Sequence, residues 1–138
     1  MAVLVASTVP AVRLVARVGA VDSFMVRAQA WPIAKVVLRI APDEALVLHV
    51  TPSDVVLPDD PHAIVEAEHG FSMIAVSWAE FDRHVRPLIE WEVPTARPTL
   101  AQGLVAFIPA KLWLGDDGVR ILVATPFSQT LVERMQAL

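Results

Sequence analysis

His62, Glu66 and His69 are spaced i, i+4, i+7. On a helix that spacing places two imidazoles and a carboxylate on one face, a donor set that zinc accepts. The flanking residues support such a helix over 61–69. Asp60 can cap the free amides, Pro61 suits the first helical position, and Gly70 suits a left-handed terminating residue. The spacing matches no established metal motif, however. The same three residues also suit the solvated face of a short helix whose other face carries Ile64 and Ala67. His49 alternates with Leu48 and Val50 on a strand, and His84 lies on a helix away from Phe81, so both read as exposed or edge residues rather than bases. The carboxylate pairs Asp43–Glu44, Asp59–Asp60 and Asp116–Asp117 are adjacent in sequence. Neighbouring carboxylates do not point into a common site as a glycosidase pair must, and each pair sits where turns and caps favour Asp. Ser53, Ser72, Ser77 and Ser128 lack a G-x-S-x-G elbow, and no phosphate-cradling glycine motif occurs. Cysteine is absent, which excludes disulfides and thiolate chemistry. No residue is therefore assigned as catalytic, cofactor-binding or metal-ligating.

Other residue types point toward association. Arginine outnumbers lysine nine to two, and the chain has four tryptophans. Arg and Trp are enriched at protein interfaces, while Lys is depleted. Trp91 and Trp113 lie off the main apolar stripes, as ordinary core aromatics or as anchors for a partner. The 138 residues are 55% hydrophobic and 19% charged, which excludes a disordered chain. A net charge of −4 argues against a nucleic-acid partner. Mean hydropathy is high, at +0.54. Even so, no stretch free of Asp, Glu, Lys and Arg approaches the roughly 18 residues of a membrane helix. The opening MAVLVASTVPAV lacks a basic flank and runs into Arg13 and Arg17, so a cytoplasmic rather than secreted protein is expected. The surplus apolarity is expected to be covered by another chain.

The positioning elements follow from periodicity. Residues 1–30 are the least legible, with short strands expected around Val12–Val18 and Phe24–Ala30, and Trp31-Pro32 marking a boundary. A single α+β domain is expected over 31–138. Val36, Leu38 and Ile40 alternate with Lys35, Val37 and Arg39; Ala41-Pro42-Asp43-Glu44 is turn chemistry; Leu46, Leu48 and Val50 repeat the alternation. Phe71–Val76 reads as a strand. Ser77-Trp78-Ala79-Glu80 is a capping box opening a helix with the stripe Trp78, Phe81, Val85, Leu88 and Ile89, which Pro87 bends or ends near Arg86. Leu104–Ile108 and Ala110–Leu114 read as extended segments around Pro109, which suggests a sheet edge, a bulge or a bend. Gly115-Asp116-Asp117-Gly118 is a turn, Val119–Ala124 a strand, and Thr125-Pro126 opens a last helix with Phe127, Leu131, Met135 and Leu138 on one face. The pattern implies an α+β fold with an antiparallel or mixed sheet and helices on one face, of ferredoxin-like type.

Three blocks, in order, resemble the gamma subunit of heterotetrameric sarcosine oxidase. They are Leu38 to Leu48 with its Ala41-Pro42-Asp43-Glu44 turn, Val76 to Phe81, and Arg97 to Gly103 followed by Ile108 to Leu114; the closing Gly118 to Leu138 also fits. The resemblance implies halves similar to aminomethyltransferase domains and a noncatalytic small subunit without its own cofactor. Such a subunit acts in assembly and stabilisation. Its partners would be larger alpha- and beta-type flavoenzyme subunits carrying FAD or FMN, NAD and folate. Two readings stand beside it. One is a stand-alone binding domain for a folate-like or amine ligand, possibly a homodimer, with Arg39, His49 or Arg120 converging on a pocket. The other is a metal-assisted hydrolase built on His62, Glu66 and His69.

Overall fold

The computed structural model describes residues 3–31 and 36–138. The chain divides into two compact units, one spanning Val9–His69 and one combining the N-terminal residues up to Thr8 with Gly70–Leu138. Each carries its own antiparallel sheet, the first with one α-helix and the second with two, so the described residues form an α+β fold of two sheets and three α-helices. Pro32 and Lys35, read as a boundary residue and a hairpin residue, lie outside the described residues.

The chain contributes β1 (Ala6–Thr8) to the second unit and then enters the first through β2 (Ala11–Val15). There follow α1 (Val18–Ala28), β3 (Val37–Ala41), β4 (Glu44–Leu48) and β5 (Ile64–Glu68), in the sheet order β3-β4-β2-β5. Val12, Leu14, Ala45 and Val47 pack with Ala20, Val21, Phe24 and Ala28 of the helix. The segment Phe24–Ala30, expected as a strand, thus lies largely inside α1. Its core residues recur at helical spacing, and the Phe24 ring meets Trp31 edge-on at 5.7 Å. The β3–β4 hairpin forms with the expected turn.

The expected helix over 61–69 does not form. Residues 64–68 are β5, paired along β2 from Val15↔Ile64 to Ala11↔Glu68. A nine-residue helix is marginal on its own, whereas pairing satisfies the backbone groups of β2 that would otherwise form an open edge. Asp60 keeps a capping role but serves another helix. Its buried carboxylate accepts the Arg17 N–H at 2.9 Å, at the start of α1, and the His62 N–H at 2.9 Å. Those two backbone donors hold the carboxyl below the usual Asp range.

The second unit adds β6 (Phe71–Val76), α2 (Trp78–His84), β7 (Thr99–Val105), β8 (Ile108–Leu114), β9 (Val119–Ala124) and α3 (Thr125–Gln136). Its sheet runs β1-β6-β9-β8-β7. One face carries Ile74, Val76, Leu112, Leu114, Ile121 and Val123, and both helices cover it with Phe81, Val85, Leu131 and Met135. The capping box is complete: the Glu80 N–H donates to Ser77 Oγ and the Ser77 N–H to Glu80 Oε1 at 2.8 Å. Such a cap stabilises a helix by about 1 kcal/mol. The Ser77 N–H first, and then its hydroxyl, hold Glu80 below the usual Glu range. The helix stops at His84, and Arg86–Leu88 form a single 3₁₀ turn containing Pro87. Of the expected face, Leu131 and Met135 are buried in α3, but Phe127 and the terminal Leu138 are exposed.

Pro109 does not bend the chain. It sits inside β8 opposite Leu104, one residue beyond the last β8–β9 pair, Ala110↔Val123. Antiparallel pairs alternate in hydrogen bonding, so its missing N–H faces the side where that ladder has ended. The reversal lies two residues earlier, at Ala106-Phe107.

Candidate functional site

The chemistry-bearing residues singled out from the sequence are not brought together. His62 lies in the turn before β5, Glu66 is within β5, and His69 follows it. Four residues along a strand span about 13 Å, and positions 66 and 69 project to opposite faces, so the helical triad does not assemble. Glu66 instead accepts from Arg13, which also engages Glu44 at 2.9 Å. Among the described residues no group of three His, Cys, Asp or Glu side chains could hold a metal ion. His84, expected to be exposed, is half-buried, and its Nδ1–H donates to the Met135 carbonyl at 3.1 Å, tying α2 to the end of α3. Arg39 pairs with Asp22 at 2.6 Å and donates to the Pro42 carbonyl. His49 is exposed after β4, with a left-handed φ of 65°. Arg120 stands opposite Trp113 and Ala75 in its sheet. Much of the arginine excess is likewise committed within the chain. Arg86 lies over Phe81 and pairs with Asp82, and Arg97 lies 4.2 Å over the Trp78 ring.

Among the described residues, a concavity lies at the tip of the β7–β8 hairpin. It is an apolar groove of about 680 Å³ whose lining includes Leu88, Trp91, Leu104 and Phe107, with Glu90 and Arg134 as its charged members. Neither Arg39, His49 nor Arg120 lines it. Three tethers build it. The Ala106 N–H donates to the Leu88 carbonyl at 3.0 Å, Arg134 donates to the Ala106 carbonyl at 2.6 Å, and the Trp91 indole N–H donates to the Leu104 carbonyl at 2.9 Å. Trp91 lies against Gly103 so closely that a Cβ there would stand 2.5 Å from the indole. The hairpin turn itself is strained. Ala106 and Phe107 have φ of 50° and 66°, a two-residue reversal with both central residues left-handed, which Asn and Gly favour. The result holds Phe107 77% exposed and Leu104 48% exposed. Trp91, off the apolar stripes in sequence, was the one available sign of this site; nothing local marks Phe107.

No helix among the described residues is long and apolar enough to cross a membrane. No family model matches the sequence, and no curated protein matches it. Among solved structures, the fold is similar to a chain of heterotetrameric sarcosine oxidase from Corynebacterium sp. U-96, determined in complex with pyrrole 2-carboxylate. The TM-score is 0.65 at 17% identity, over 97% of this chain and 82% of that one. At that identity the likeness is one of fold.

Proposed function

We propose that the chain is a gamma-type small subunit of a flavin-dependent amine oxidase or dehydrogenase of the sarcosine oxidase kind. The observation that carries this reading is the fold likeness, across 97% of the chain, to a chain of a heterotetrameric sarcosine oxidase. Independent support comes from the ordered sequence blocks that resemble the gamma subunit of that enzyme. The exposed apolar surface at the β7–β8 tip is the kind of surface a permanent complex covers. In this reading the subunit serves assembly and stability in the cytoplasm. Flavin, NAD and folate belong to larger alpha- and beta-type partners, which perform the oxidation.

The test is co-expression with the reading frames that flank its gene, followed by purification through a tag on this chain. A larger chain with flavin absorbance, in fixed stoichiometry, is the expected result. A stable, soluble product that retains no flavoprotein overturns the proposal.

A further inference from the structure

We propose that the β7–β8 hairpin tip is the grip through which this subunit holds its partner. Phe107 enters the partner, and the groove beside it receives an apolar segment that places a lysine or arginine next to Glu90. The inference rests on the subunit reading and specifies its contact surface.

Two observations carry it. The first is the turn. Nothing in the hairpin requires a phenylalanine at its apex, and its left-handed φ of 66° is one that bulky residues avoid. Backbone strain of this kind persists only where surrounding structure enforces it, and it concentrates at functional positions. Here the enforcement is visible, because the Leu88 carbonyl and the Arg134 guanidinium clamp both polar groups of Ala106. What the clamp achieves is a large aromatic held out in solvent, the residue class that dominates binding energy at interfaces. The second is charge. Arg134 keeps its charge while it donates to the Ala106 carbonyl, and among the described residues neither it nor the exposed Glu90 and Glu92, which flank Trp91, enters an ion pair. Two carboxylates against one guanidinium leave the balance at this edge negative, and the carboxylates adjoin an indole. A cation on the occupant is therefore favoured by the carboxylates and by the aromatic face.

The decisive variant is Phe107→Gly, because glycine accepts the left-handed turn and keeps the fold intact. In the co-purification experiment, Phe107→Gly is expected to retain or raise its thermal midpoint while partner affinity falls at least tenfold. Glu90→Lys should weaken association several-fold and flatten its salt dependence. If the wild-type chain retains the flavoprotein and both variants retain it equally well, the grip lies elsewhere and this inference fails while the subunit reading stands. If the wild type retains no flavoprotein, the subunit reading fails, and the groove is decided separately with a leucine–lysine amphipathic peptide. Amide and indole NMR shifts confined to Trp91, Leu104 and Phe107, absent with a leucine–glutamate peptide, uphold the groove's preference; no shifts, or equal shifts with both peptides, overturn it. Concentration-dependent self-association abolished by Phe107→Gly would also overturn it, by making a second copy the occupant.

Discussion

The β3–β4 and β7–β8 hairpins reverse the chain by opposite means. Between β3 and β4 the apex is Pro42-Asp43, residues whose own conformational preferences make the turn. Its strands carry Leu38, Leu46 and Leu48, all buried. Between β7 and β8 the apex is Ala106-Phe107, which oppose the turn they adopt and are held in it from outside. Local preference and tertiary structure agree in the first hairpin and conflict in the second. Such conflict is tolerated where function requires it. The first hairpin is a folding element, and the second presents a surface.

The contrast is open to several measurements. Leu46→Ala in the buried hairpin should cost about 3 kcal/mol, since Leu46 is only 1% exposed. Leu104→Ala at the presenting hairpin should cost less than about 1 kcal/mol. Equal losses in urea denaturation would erase the distinction. Gly103→Ala forces a methyl into the Trp91 ring and should cost about 2 kcal/mol, with loss of the indole–Leu104 hydrogen bond. An unchanged indole N–H resonance would show that the ring is not pinned there. Substitutions at the two apices should differ in sign. Phe107→Gly is expected to stabilise by about 1 kcal/mol, by relieving the left-handed backbone. Pro42→Ala should destabilise by roughly 0.4–1 kcal/mol, by loosening the unfolded chain. A loss of stability in Phe107→Gly would mean that the aromatic supports the fold after all.

The smallest effects concern acid. Asp60 in one unit and Glu80 in the other are both held below their ordinary values by backbone donors. A carboxylate whose folded pKa is depressed contributes stability that is complete above its unfolded value, about 3.9 for Asp and 4.3 for Glu. That contribution is lost as pH falls through the folded value. Asp60→Asn and Glu80→Gln should each flatten the decline in stability below about pH 4. Parallel acid limbs in wild type and both variants would contradict these assignments.

What was legible in the sequence was what neighbours in the chain decide. The Pro42-Asp43 turn, the Ser77–Glu80 box, the end of α2 before Pro87 and the buried face of Leu131 and Met135 all depend on residues within a few positions of one another. The segment 61–69 shows the limit. Asp60 does cap a helix, though not this one, and Gly70 does not take the left-handed conformation expected of it; the outcome depended on β2, some fifty residues earlier in the chain, whose backbone lacked a partner along that edge. The capping carboxylate of Asp60 was likewise claimed by α1, across a separation of 43 residues. Once that segment became a strand, the His62–Glu66–His69 face ceased to exist.

The groove belongs wholly to tertiary structure. Leu88, Trp91, Phe107 and Arg134 share no periodicity, and they meet only because β7 folds back on β8 and α3 returns an arginine to the Ala106 carbonyl 28 residues away. Sequence alone determined which short segments could turn, cap or present an apolar stripe, because steric and hydrogen-bonding preferences act over a few residues. Which strand edge needed a partner, and which aromatic was left in solvent, was decided by long-range pairing and packing, whose energies outweigh those preferences.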